Sequence, residues 1–147
     1  MQTIEGRGDG MSTSGLKKIG VIGIGTMGNG IAQVVAQSGF ETIVMDVDAG
    51  VLERGLDAIS RSLERLVKAF EKSGGEKGIP ETARAEAMAR LKTTSRLEDL
   101  LACDLVIEAV PEKPELKEQI NRRLAELGYD KILVSNTSGI SITRLGA

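Results

Sequence analysis

The stretch Lys18-Ile19-Gly20-Val21-Ile22-Gly23-Ile24-Gly25-Thr26-Met27-Gly28 runs from a short apolar segment into closely spaced glycines, and Met27, Ile31, Val34 and Val35 then recur at helical spacing as far as Ser38. It reads as strand, tight turn and helix. Three glycines spaced G-x-G-x-x-G are a weak signal by themselves. Here they have a strand before them, a helix after them, and the acidic Asp46 closing the next strand-like run, Glu41 to Val47, about 20 residues on. Each glycine has a physical task. Gly23 permits the turn, Gly25 leaves no side chain where a diphosphate must approach the backbone, and Gly28 allows close packing of helix on strand. The amides of Thr26, Met27 and Gly28, at the helix start, are then free to meet an anion.

Asp46 is expected to accept hydrogen bonds from the adenosine ribose hydroxyls, and its charge would repel a 2′-phosphate. That favours NAD over NADP as cofactor. The following residues, Val47, Asp48 and Ala49, bring no arginine to reverse the preference. The plain alternative is a turn followed by a strand that happens to end in an aspartate.

Outward from this motif the pattern alternates between short β-type runs and longer helical ones, which argues for βαβ units on a parallel sheet. Asp48 caps a long helix to about Phe70, broken at Ser73-Gly74-Gly75. A second helix, Glu81 to Arg90, follows Pro80, and the pair reads as a helical hairpin longer than an ordinary crossover. Leu91 to Thr94, Asp104 to Val110 and Lys131 to Ser135 read as strands, with a helix over Pro114 to Leu127 and a helix cap at Ser141. The expected fold is α/β: a Rossmann-type doubly wound, mostly parallel sheet with a projecting helical hairpin, truncated on its C-terminal side. A sixth strand is expected to be missing. The Lys131–Ser135 strand would then have an open edge, favouring a homo-oligomer.

The chain has 147 residues, 41% hydrophobic and 27% charged, which fits one globular domain with a packed core. Residues 1–15 read as a flexible leader or expression remnant, with Ile4-Glu5-Gly6-Arg7 similar to a protease recognition sequence and Met11 available as a native start. Residues 16–147 form the expected cofactor-binding domain. Lys and Arg number 19 against 21 Asp and Glu, so no basic field gathers nucleic acid or a membrane surface. The single cysteine, Cys103, and the lack of a long apolar run point to a reducing, cytoplasmic setting without membrane spans. No metal site is read from the sequence. Histidine is absent altogether, which removes the commonest general acid–base side chain near neutral pH.

Gly23 to Gln33, the Asp46 strand end, the long hairpin, Glu108-Ala109-Val110-Pro111-Glu112 and Ser135-Asn136-Thr137-Ser138-Gly139 occur in an order that resembles the NAD-binding domain of bacterial 3-hydroxyacyl-CoA dehydrogenases, above all the branch acting on 3-hydroxybutyryl-CoA. The resemblance covers about residues 16–147. It implies an oxidoreductase of fatty acid metabolism, interconverting 3-hydroxyacyl-CoA and 3-oxoacyl-CoA by hydride transfer to NAD. It places Glu112 near the nicotinamide ribose with Lys117 assisting, and Asn136 and Ser138 as supporting catalytic groups touching nicotinamide and the substrate hydroxyl or carbonyl. Ser62 and Lys68 match positions meeting coenzyme A. Each residue also has a plainer explanation: loop carboxylate, surface ion pair, turn residue or solvated helix face. Family members carry their catalytic His in a Gly-x-His-Phe-Phe-Asn-Pro stretch, followed by a helical substrate and dimerisation domain. Neither is present in this sequence. The expectation is therefore a cofactor-binding fragment, inactive alone and acting on an acyl-CoA only with its other half. The alternatives are a stand-alone NAD(H)-binding or redox-sensing module, and a relative acting on another hydroxy acid.

Overall fold

The computed structural model describes residues 15–110, 113–135 and 141–144. Its elements are β1 (Lys18–Ile22), α1 (Thr26–Gln37), β2 (Glu41–Met45), α2 (Ala49–Lys72), α3 (Glu81–Arg90), β3 (Leu91–Thr94), a 3-10 turn (Leu97–Leu100), β4 (Leu105–Glu108), α4 (Pro114–Glu126), β5 (Ile132–Ser135) and β6 (Ser141–Arg144). The sheet order is β3-β2-β1-β4-β5-β6, which reverses direction of growth at β1 and is the dinucleotide-binding order. Strands β1 to β5 are mutually parallel. Short β-branched and aliphatic runs at these positions suit strands covered on both faces.

Two expectations are corrected at the C-terminal side. Ser141 does not cap a helix: residues Ser141–Arg144 are a strand, antiparallel to β5, with Ser135 opposite Ser141 and Ile132 opposite Arg144. The sixth strand is therefore present, and the β5 edge is paired rather than open. A serine is a capping signal only when a helix follows; the backbone groups of β5 offered these four residues a ladder instead.

Successive strand residues point to opposite faces, and the core divides accordingly. Val21 and Val44 join Ile24, Ala32, Leu52, Ile59, Leu63 and Ala87 beneath α1, α2 and α3. Ile22, Met45, Val106 and Leu133 join Leu100, Cys103, Leu124 and Tyr129 on the other face, under α4. Helix α2 starts where Asp48 accepts from the amides of Gly50 (2.8 Å) and Val51 (3.2 Å), and it buries Leu52, Ile59, Leu63 and Val67 along one stripe. The base of the hairpin is anchored to the body. Ala87 of α3 is buried, and Arg90 donates to the Ala36 carbonyl at 2.8 Å near the C-terminus of α1.

At the glycine turn the backbone itself dictates composition. Gly23 has φ +94, and a Cβ on Gly28 would stand 1.7 Å from the Gly23 carbonyl oxygen. No side-chain adjustment relieves a clash with backbone. Gly30, two residues on in the same helix, has open space where its Cβ would be. Gly28→Ala is accordingly expected to lose about 1–3 kcal/mol or more, and Gly30→Ala to gain about 0.5–1 kcal/mol, as read from urea midpoints.

Burial pushes the Cys103 thiol up to about 11 from its ordinary 9.0. A thiol whose folded value is raised favours folding fully below the unfolded value, and that contribution fades as pH climbs from about 9 to about 11. Iodoacetamide at pH 8 should label Cys103 slowly in native protein and quickly in urea; equal rates would contradict its burial.

Candidate functional site

The parallel ladder continues one residue past the strands. Gly23 donates to the Met45 carbonyl at 2.8 Å, Asp46 to Thr94 at 3.2 Å and Ala109 to Ile22 at 2.8 Å. These bonds bring the ends of β1, β2, β3 and β4 to a common rim. At that rim, where the strand order reverses, opens a cleft of about 1160 Å³. Gly23, Gly25 and Met27 form one side, Asp46, Val47 and Val51 the next, Ser95 to Glu98 the third, and Ala109, Val110, Leu116, Gln119, Ile120 and Arg123 the last.

Helix α1 enters this cleft end-on. Gly25 is its N-cap, no side chain caps it, and its first turn carries no acidic residue. A Cβ on Gly25 would meet nothing within 4 Å, so the approach to the helix end is open. The N-terminal amides and the positive end of the helix dipole suit a diphosphate.

Across the turn, Asp46 is half-buried and oriented by two backbone amides: Oδ2 accepts from Ile24 at 3.3 Å and Oδ1 from Asp48 at 3.1 Å. A carboxylate has about four acceptor positions, so capacity remains for two vicinal hydroxyls. Val47 is 81% exposed and Met27 60%, both on the cleft wall, where apolar surface held out to solvent suits a flat ring. Thus the glycine turn, a diphosphate-sized approach, a fixed carboxylate and apolar walls fit an adenine dinucleotide.

Sequence reasoning missed the far wall. Glu98 holds Arg123 at 3.6 Å and Arg96 at 3.9 Å. These pairs are exposed, and each is worth about 0–1 kcal/mol. It also left Glu108 inside an apolar run. The Glu108 side chain is 1% exposed and sits on the same face of β4 as Val106. Its carboxylate accepts from Ser135 Oγ (2.7 Å), Val110 N (2.9 Å) and Lys117 Nζ (3.1 and 3.3 Å). Lys117, 13% exposed at its side chain, is therefore half of a sheltered pair rather than of a surface one.

The structure brings Gly23, Gly25, Met27 and Asp46 to the cleft, with Gly28 packed behind the turn. Thr26 contributes its backbone at the start of α1. Glu112, Asn136 and Ser138 lie outside the described residues. On α2, Ser62 is half-buried and Lys68 exposed, and neither lines the cleft. Six residues apart, they stand about 120° apart around the helix and about 9 Å along it, so they do not share a face.

A family model for the 3-hydroxyacyl-CoA dehydrogenase NAD-binding domain matches residues 18–147. The chain belongs to this family. It is similar to a 3-hydroxybutyryl-CoA dehydrogenase of Bradyrhizobium diazoefficiens, 44% identical over 133 residues, covering 90% of this chain and 43% of that protein. Among solved structures, the (S)-3-hydroxybutyryl-CoA dehydrogenase of Ralstonia eutropha aligns with a TM-score of 0.76 at 36% identity, covering 86% of this chain and 42% of the other. The 3-hydroxybutyryl-CoA dehydrogenase of Escherichia coli K12 gives 0.75 at 33% identity, covering 86% and 25%. The chain thus spans less than half the length of the curated relatives it matches. Its cofactor is the NAD of the family. Among the described residues no helix is long and apolar enough to cross a membrane.

Proposed function

We propose that the chain is the cofactor-binding part of an NAD-dependent 3-hydroxyacyl-CoA dehydrogenase, and that by itself it binds NAD with negligible turnover. The observation carrying the first half is Asp46, tethered by the Ile24 amide within reach of an uncapped helix end. In this reading the amides opening α1 hold the diphosphate and Asp46 the adenosine ribose, while Val47 and Met27 flank the adenine side. Bound NAD supplies the hydride acceptor. Glu112 and Lys117 are read at the nicotinamide ribose, and Asn136 and Ser138 at the nicotinamide and the substrate oxygen, on the strength of the family resemblance. Ser62 and Lys68 are read as contacts to coenzyme A; their different faces on α2 mean that one ligand group would not touch both.

The second half rests on proton chemistry. Oxidising a hydroxyl by hydride loss also requires a base for its proton, and none of the 147 residues is a histidine. The base is read as belonging to a segment outside this chain, together with the acyl-CoA pocket and the surface through which the whole protein forms a homo-oligomer. With the β5 edge paired, self-association of this chain no longer follows from its sheet.

Calorimetric titration tests the binding half: Asp46→Ala should weaken NAD by about 1–3 kcal/mol and NADP by less, through loss of charge-assisted hydrogen bonds. Equal losses would contradict the role of Asp46. NADH with acetoacetyl-CoA should show no enzyme-like oxidation in the presence of this chain alone. A rate typical of dehydrogenases would overturn the second half.

A further inference from the structure

Glu108 poses a problem that stability does not answer. It occupies a core position on the face of β4 that carries Val106, beside a cluster containing Leu124 and Leu133. A well-packed aliphatic residue at such a position is commonly as stabilising as a buried ion pair or more so, because desolvating the charge offsets its attraction. A carboxylate here has another use, visible in its partners. They come from three different places: Val110 where the chain leaves β4, Ser135 at the last residue of β5, and Lys117 in the first half of α4.

We infer that Glu108 is a positioning residue for the nicotinamide end of the cofactor: its buried carboxylate fixes the Lys117 ammonium and the exits of β4 and β5 in one arrangement. The inference rests on the proposed dinucleotide-binding reading. In that reading the diphosphate lies over α1, at the crossing point of the sheet, and Asp46 fixes the adenosine half on the β2 side of β1. The other half of the dinucleotide then extends to the β4 and β5 side, where Glu108 gathers its three donors. Lys117 is sheltered and bonded to both carboxylate oxygens, so its ammonium is held by a pair of contacts rather than by one flexible reach. Three donors converging on one acidic group satisfy it without water and leave it little freedom to move. The Ser135 contact matters separately, since it ties the end of β5 to that of β4 by side chains as well as by the ladder.

ADP carries the adenosine and the diphosphate of NAD but neither the nicotinamide nor its ribose, and so divides the two halves of the cleft. Both ligands are titrated calorimetrically into the chain and its Glu108→Gln variant, with folding checked by circular dichroism. Loss of the charge leaves Lys117 without this counter-ion, so NAD affinity should fall about tenfold while ADP affinity stays within about twofold. Ser135→Ala, which leaves the Glu108–Lys117 pair intact, guards against a Gln variant that fails to fold; it should shift the same ratio in the same direction by about two- to threefold. A second readout is the emission of bound NADH, which reports the dihydronicotinamide in a chain with no tryptophan. In Glu108→Gln it should move toward that of free NADH under conditions where ADP still binds. An equal fall for both ligands, or no change for either, would overturn the positioning role. Failure of the unaltered chain to bind ADP would overturn the underlying dinucleotide reading instead.

Discussion

Everything at the cleft depends on how closely α1 approaches the end of β1. The Gly28 Cα lies so near the Gly23 carbonyl that a methyl group between them would stand 1.7 Å from the oxygen. That contact lets the helix start directly behind the strand, with its uncapped amides at the rim rather than displaced over the sheet. The ladder bonds from Gly23 to Met45 and from Ala109 to Ile22 then level the neighbouring strand ends around it. The floor of the crevice results from backbone geometry. Side chains such as Asp46 and Val47 only refine what it accepts.

The two flanks of β1 solve their polar groups differently. On the β2 side, Asp46 is half-buried, held by two backbone amides, and retains acceptor capacity toward the cleft. On the β4 side, Glu108 is almost fully enclosed and bonded by an amide, a hydroxyl and an ammonium. The first carboxylate is available to a ligand, and the second is committed to the protein. Asp104, at the opposite end of the sheet, is a third case: the Lys17 amide, joined by that of Lys18, holds its carboxyl below the usual range and ties the start of β1 to the start of β4.

Much of this was legible in the residues because local signals agreed with one another. Pro80 before Glu81 and the β-branched pair Thr93-Thr94 mark α3 and β3, and Asp48 caps α2 where a capping aspartate belongs. The glycines and Asp46 were readable as a site because their spacing is short and their tasks are backbone tasks. What escaped was non-local. Strand β6 exists through pairing with β5, a partner that the four residues Ser141–Arg144 do not announce. The Glu108 cluster draws its donors from 2, 9 and 27 residues away, so no single window contains it. Within DLVIEAV an acidic residue looks like a strand end, and only its neighbours in space show it as a clamp.

Amide-resolved NMR of the labelled chain, titrated with NAD, tests the central claim most directly. The account predicts that the largest shifts fall on Ile24 to Gly28 and on Asp46 to Asp48, the amides surrounding the helix end and the ribose carboxylate. Shifts confined to residues away from this rim, or none at saturating cofactor, would contradict it.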